Sequence, residues 1–323
     1  MDRVLLVKTS SMGDVIHNLA VVSDIRRRLP KTRIDWLVEK SFTEIPAMHR
    51  GIERVLPVEL RRWRHRLIFP DTWREINQIK ETLREGEYDA VLDTQGLIKS
   101  AIIARWADKP VSGYNRNSIR EPLASIFYKY KYEVSRNQHA VVRNRQLAAL
   151  ALGYDISELP LDYGISAEPG DFRLPELQNR YAVCIHGTSR ESKLWPEHHW
   201  QELIVHFEKA GMQSVLVWGT ESERARSERL AKATTSAIVA PRLDLKQLAS
   251  LCNGANGVIG VDTGPMHLAA ALGCKVIALY TDTNPEKTGV LSADENRSLN
   301  LGNNGVIPTI SEVMEAAGRM EIL

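Results

Sequence analysis

The sequence predicts an α/β chain built from two doubly wound domains in tandem. Short apolar runs of strand length alternate with helical stretches through both halves. That periodicity fails once, between Tyr154 and Asn179, where Pro160, Pro169, Gly170 and Pro175 gather and read as a linker. The 323 residues are enough for two domains of ordinary size. The domains are therefore drawn as 1–160 and 161–323, with the last helix free to pack back on the first. In such sheets ligands bind outside the carboxyl ends of the strands, so the chemistry is expected there, in a cleft between the two domains.

In the first half, "RVLLVKT", "RIDWLVE" and "YDAVLDT" are the strand candidates, and "DVIHNLAVVSDIRRRL", "WREINQIKETLRE" and "NQHAVVRNRQLAALALG" the helices. The second half restarts with the apolar runs "YAVCIHG", "QSVLVWG", "SAIVA", "GVIGVD" and "KVIALYT". Between them lie the helices "EHHWQELIVHFEKAG", "SERARSERLAKA", "LKQLASLCNGA" and "MHLAAALG".

Hydrophobic residues make up 43% and charged residues 25%, the profile of a soluble globular protein. Cys184, Cys252 and Cys274 are odd in number and widely spaced, so they form no disulfide or metal framework and fit a reducing compartment. No signal-peptide pattern opens the sequence, and no apolar run approaches the ~20 residues of a membrane span. The net charge of +2 hides an asymmetry: residues 1–160 carry 27 Lys+Arg against 20 Asp+Glu, and residues 161–323 carry 15 against 20. A basic first half faces an anionic partner, although scattered surface charge would give the same count. Nucleic acid is not expected, because the charges fall in loops of an α/β domain without a nucleic-acid-binding signature.

The richest motif is "GVIGVDTGPMHLAAALG", Gly257–Gly273. A buried strand ends at Asp262, Thr263 is placed to cap a helix, Gly264 lets a ligand approach the backbone, and Pro265 suits the first turn. The helix N-terminus is an anion site to which His267 can add a donor. In "HGTSRESKLWPEHHW" the hydroxyls of Thr188 and Ser189 and the ammonium of Lys193 suit a diphosphate. In "VWGTESERARSERLA", Glu223 can accept from the two hydroxyls of a ribose, or be simple helix-surface charge. There is no Walker A motif, no G-x-G-x-x-G and no Asp-x-Asp pair, so neither a P-loop nor a metal-bridged diphosphate is expected.

The first half carries "VLLVKTSSMGDVIHNLAVV", a strand, turn and helix with a single turn glycine, Gly13, followed at once by Asp14. A carboxylate there repels a phosphate, so this turn is not expected to hold one. "LRRWRHRLIFP" places Arg61, Arg62 and Arg64 beside Trp63 and ahead of the apolar Leu67, Ile68 and Phe69, a pairing that suits a membrane surface. Further basic groups are Lys99, Arg116, Arg120, Arg143 and Arg145.

Taken in order, "VKTSSMGDVIH", "RRWR", "DTQGLIKSA", "REPLAS", "KLWPEHHW" and "VDTGPMHLAAALG" resemble the bacterial heptosyltransferase I family of lipopolysaccharide core synthesis, over nearly the whole chain. The resemblance implies a GT-B glycosyltransferase with an acceptor-binding first domain and a donor-binding second. It implies inverting transfer of heptose from ADP-L-glycero-β-D-manno-heptose to the inner Kdo of Kdo2-lipid A, with no metal and no cofactor. Asp14 is then the catalytic base. Thr188, Ser189 and Lys193 meet the diphosphate and sugar, Glu223 the ribose and Leu243 the adenine, while Asp262, Thr263, Gly264 and His267 form the helix-terminal part of the donor site. Arg61, Arg62, Arg64, Lys99, Arg120 and Arg143 face the anionic glycolipid acceptor. The implied enzyme is a monomer in the cytoplasm, touching the inner membrane peripherally. One loop, "YTDTNPEKTG", departs from the Gly-Pro-Thr that relatives often carry there. Rival readings are a heptosyltransferase II, a GT-B-like sugar-nucleotide epimerase or hydrolase, and a non-enzymatic glycolipid binder.

Overall fold

The computed structural model describes residues 1–167 and 172–323; Pro169 and Gly170 of the expected linker lie outside the described residues. Two compact units are present, Met1–Ile165 and Ser166–Leu323. Among the described residues the first unit holds strands β1 (Arg3–Val7), β2 (Arg33–Glu39), β3 (Arg54–Val58), β4 (Ala90–Asp93), β5 (Val111–Tyr114) and β6 (Tyr130–Tyr132). The second holds β7 (Tyr181–Ile185), β8 (Gln213–Leu216), β9 (Ile238–Val239), β10 (Gly257–Val261), β11 (Val276–Tyr280) and β12 (Ser298–Gly302).

Both sheets are wound the same way. The first runs β3-β2-β1-β4-β5-β6 and the second β12-β11-β10-β7-β8-β9, the same order read from the other edge. All the pairings in both sheets are parallel. Parallel strands need crossover segments, which cover both faces, so central strands are apolar throughout rather than alternating. Val4–Val7 of β1 and the whole of β7, β10 and β11 are buried accordingly. The order reverses between β1 and β4 and between β7 and β10, the places where this winding opens a crevice at the carboxyl ends.

The expected strands all form. Four others lacked a readable pattern: β3, β5, β6 and β12. Three of them are edge strands. Pro57 in β3 is tolerated there because an edge strand has one side with no ladder to complete. In β5, Gly113 leaves room for the Tyr128 ring, which a β-carbon would overlap. The helix expected from Asp14 onward is two helices, Met12–His17 and Leu19–Arg28, joined at the buried Asn18.

The chain after residue 160 is still tied to the first unit. Arg145 grips Asp24 through two bonds of 2.7 and 2.9 Å and also donates to the Leu159 and Pro160 carbonyls. Arg27 pairs with Asp162 at 2.7 Å. Gly164, at φ +63°, lies against His49, where a side chain would collide. The last helix, Ile310–Arg319, buries Val313, Ala316 and Ala317 in the second unit's core with Trp195, Trp200 and Phe207.

His49 and His186 are buried neutral histidines. The Gly51 N–H donates to His49 Nδ1 (2.9 Å), so the ring proton sits on Nε2 and meets Ser23 Oγ at 3.0 Å. His186 Nε2 lies 2.7 Å from Ser227 Oγ. Burial pushes each pKa down from 6.5 to about 4. Between those values the unfolded chain binds more protons, so stability rises with pH across that window and is lost on acidification. Each histidine contributes at most about 1.4 kcal/mol per pH unit there. Urea unfolding between pH 6.5 and 4 is expected to show this slope, and His49→Gln and His186→Gln should each flatten it.

Candidate active site

In the second unit, the turn after β10 gathers groups from three strand ends. Lys193 Nζ pairs with Asp262 Oδ2 at 2.6 Å, Thr283 Oγ1 donates to the same oxygen at 2.7 Å, and Thr188 Oγ1 donates to the Asp262 carbonyl at 3.0 Å. Thr188 and Lys193 follow β7, Asp262 follows β10 and Thr283 follows β11. The helix Gly264–Ala271 starts beside them. Thr263 occupies its N-cap position in extended geometry, but its hydroxyl makes no capping bond, which differs from the capping role the sequence predicts. His267 is buried rather than at the surface. Ser189 is exposed, and Leu243 is half-buried against the apolar cluster that includes Val217, Ala240 and Leu248.

Glu223 has a local task. In the first turn of helix Glu221–Ala231 its Oε2 accepts the N–H groups of Gly219 (2.7 Å) and Thr220 (3.0 Å), while Thr220 Oγ1 caps in return. This capping box satisfies orphan donors at both ends of the turn. The other carboxylate oxygen lies over Gly187, where a side chain would overlap it. So Glu223 reaches the end of β7, and Gly187 is what makes room for it.

Thr283 and Ser192 were not singled out in the sequence. Thr283 binds Asp262, and Ser192 belongs to a lacing between the loop after β7 and the loop after β11. Ser192 Oγ donates to Asp282 at 2.6 Å, and Thr281 Oγ1 donates to the Ser192 carbonyl at 2.8 Å. The Tyr280–Gly289 loop thus supplies Thr283 as a partner to Asp262.

In the first unit, Asp14 is the third residue of the short helix Met12–His17. Its Oδ2 accepts the Ser11 N–H (3.0 Å) and Ser11 Oγ (2.9 Å). Around it, Gln95 Oε1 accepts the N–H groups of Thr9 and Ser10, and Lys99 Nζ reaches Ser10 Oγ at 3.4 Å. Lys8, the last residue before this turn, is buried and donates to the Thr94 carbonyl at 3.0 Å. Burial lowers its pKa, Asp14 and Asp93 oppose that, and Arg143 and Arg120 add to it. Asp93 closes β4 under the turn, holding Tyr128 OH (2.7 Å), Ser100 Oγ (2.8 Å) and the Gln95 N–H (2.8 Å); burial nevertheless raises its pKa. Arg143 stacks on Tyr114 at 4.9 Å and donates to the Ser118 carbonyl, while Arg120 is exposed.

The arginine run follows β3. Arg62 is committed to Glu59 and Glu75, and Glu75 also takes the Trp63 indole N–H at 2.8 Å. Arg61 and Arg64 are exposed, Arg61 near the Phe42 ring and Arg64 against His65. Arg145, counted among the basic groups in the sequence, is the structural partner of Asp24. Among the described residues, no group of three or more His, Cys, Asp or Glu side chains is arranged to hold a metal ion.

The chain matches the profile of Glycosyltransferase family 9 (heptosyltransferase) over residues 76–313. The chain belongs to that family. Lipopolysaccharide heptosyltransferase 1 of Pseudomonas aeruginosa is 46% identical over 288 residues, covering 89% of this chain and 81% of its own. The solved structure of E. coli heptosyltransferase WaaC with ADP matches with a TM-score of 0.91 at 37% identity, over 98% of this chain and 99% of that one. Lipopolysaccharide heptosyltransferase 2 of Salmonella typhimurium is 22% identical over 305 residues, or 90% of this chain and 86% of its own. The two like-wound sheets are the GT-B fold.

The capping role of Glu223 is separable from any ligand role. Glu223→Ala removes the acceptor of two backbone N–H groups and should cost about 0.5–2 kcal/mol in urea unfolding of the ligand-free protein. Glu223→Gln keeps a carbonyl oxygen for those donors and should stay near wild type.

Proposed function

We propose that this family 9 glycosyltransferase moves L-glycero-D-manno-heptose from ADP-heptose to the inner Kdo of Kdo2-lipid A, inverting the anomeric centre, without a metal and as a monomer. The observation that carries this reading is the split of charge between two strand-end sites. A lysine-bearing turn at a helix N-terminus ends one sheet, and a carboxylate in a basic setting ends the other. The greater similarity to heptosyltransferase 1 than to heptosyltransferase 2 favours the Kdo acceptor over a heptose acceptor.

On the donor side, an ammonium has three N–H donors, so Lys193 can keep its bond to Asp262 and still donate to the diphosphate. The helix start at Thr263 and Gly264 adds the positive end of its dipole. The free Oε1 of Glu223 accepts from the ribose, Leu243 packs against the adenine, and Ser189 and His267 complete the sugar and phosphate contacts. The positive charge for the leaving ADP then comes from protein groups. Turnover that survives a chelator would support this, and its loss would overturn the metal-free step.

Asp14 Oδ2 is occupied by Ser11, which leaves Oδ1 to take the proton of the acceptor hydroxyl. As the new bond forms from that oxygen to the anomeric carbon, the bond to the ADP oxygen breaks on the opposite face and ADP leaves with its electron pair. Lys99, which reaches Ser10 of the Asp14 turn, suits the Kdo carboxylate together with Arg120 and Arg143, while exposed Arg61 and Arg64, with Arg62 held by Glu59 and Glu75, suit the lipid A phosphates. No helix among the described residues is long and apolar enough to cross a membrane. Peripheral contact at the cytoplasmic face of the inner membrane would bring a lipid-anchored acceptor within reach.

Asparagine preserves the oxygen that bonds Ser11 but is no base. Asp14→Asn should therefore melt like wild type, bind ADP normally and lose roughly 10²–10⁴ in acceptor-dependent ADP release. Near-normal turnover in that variant would remove Asp14 as the base. Lys193→Ala should weaken ADP binding by calorimetry roughly 10- to 100-fold, the worth of one hydrogen bond to a charged group.

A further inference from the structure

The segment between helices Leu60–Trp63 and Pro70–Glu85, together with the start of the second helix, carries a dense group of exposed apolar side chains. Leu67 is 47% exposed, Ile68 87%, Phe69 44% and Trp73 48%. Their exposure does not come from a loose loop. Successive backbone bonds, Arg66 N to the Trp63 carbonyl (2.9 Å) and Phe69 N to the Arg66 carbonyl (3.0 Å), fold it into consecutive turns. Trp73 Nε1 donates to the Leu67 carbonyl at 2.7 Å and holds the tip to the next helix. Below, buried Trp63 and the Arg62–Glu75 contact anchor the base. A protein that folds four large apolar side chains outward on a braced support has a use for them.

Their setting identifies the partner. Arg66 lies over the Phe69 ring at 4.9 Å, Arg64 and His65 precede it, and Arg74 follows, paired at the surface with Asp71. A tryptophan, a phenylalanine and two aliphatic side chains ringed by arginines match an interface that is apolar inside and anionic at its surface. A buried protein partner would leave those guanidiniums desolvated, whereas lipid phosphates meet them in water. We propose that this tip is an interfacial anchor that inserts Leu67, Ile68, Phe69 and Trp73 into an anionic phospholipid bilayer. The anchor acts independently of substrate, and it rests on the proposed function only in that the lipid acceptor explains why a bilayer is at hand.

The test uses the full-length protein and vesicles free of any acceptor. Wild type should float with phosphatidylglycerol–phosphatidylethanolamine vesicles, bind phosphatidylcholine vesicles far less, and release as salt is raised. The double variant Ile68→Asp/Phe69→Asp should lose roughly 10²-fold in partitioning, since two apolar side chains no longer leave water. It should melt like wild type and keep turnover on a water-soluble, deacylated acceptor. Brominated lipid should quench tryptophan fluorescence in wild type, and Trp73→Phe should abolish most of that quenching. Wild type that ignores anionic vesicles, or a double variant that binds them equally, would overturn the anchor. So would a concentration-dependent dimer in light scattering that the double variant abolishes while vesicle binding persists, because the tip would then join two copies. Vesicle binding without heptosyl transfer would sink the proposed function alone, and transfer without vesicle binding the anchor alone.

Discussion

Parallel pairing imposes one constraint from which the rest follows. A parallel strand cannot be joined to its neighbour by a tight turn, so the chain must cross the face of the sheet between strands. All strands in a sheet then end on the same side, and the loops leaving them lie on one edge. In the second unit this brings residues about ninety positions apart into bonding distance, as with Ser192 and Asp282. In the first it brings Lys8 to Thr94 and Lys99 to Ser10. The buried strands give these edges a rigid base, and the groups at the edge inherit that rigidity.

The two edges use the same geometry with opposite charge. Past β10, Asp262 holds a lysine and a threonine in place before any ligand arrives. An ammonium so fixed gives up little rotamer freedom on meeting a phosphate, a form of preorganisation. Past β1, the carboxylate of Asp14 is fixed by its own capping contacts with Ser11, in the turn that follows the buried Lys8. A helix N-terminus can serve a phosphate or hold a carboxylate. Here the helix start in the first unit holds a carboxylate, and the one in the second lies beside the Lys193–Asp262 pair.

Some charges that the sequence singles out already have partners inside the protein. Arg145 neutralises buried Asp24, Arg62 is shared by Glu59 and Glu75, and Glu223 closes a capping box. Arginine and glutamate have long side chains with several directed hydrogen-bonding atoms, so they serve as internal fasteners as readily as ligand contacts. The partner can be local, as for Glu223 and Thr220, or distant, as for Arg145 and Asp24.

Much was legible from sequence because it is local. Continuous apolar runs marked the central strands, the Thr-Gly-Pro turn marked the start of helix Gly264–Ala271, and Asp14 beside Gly13 marked an acidic turn where a phosphate loop is usual. The edge strands β3, β6 and β12 were not legible, since an edge strand buries only part of its surface and shows no strong apolar pattern. Nor were Thr283, Ser192 and Lys8, whose importance lies in atoms contributed from distant segments. The sequence by itself determined the winding of both domains and the chemical character of each turn, because backbone propensity and burial act over a few residues. Tertiary structure decided which of the basic groups are paired inside the protein and which face solvent, because partners such as Asp24 for Arg145 and Asp262 for Lys193 are far away along the chain.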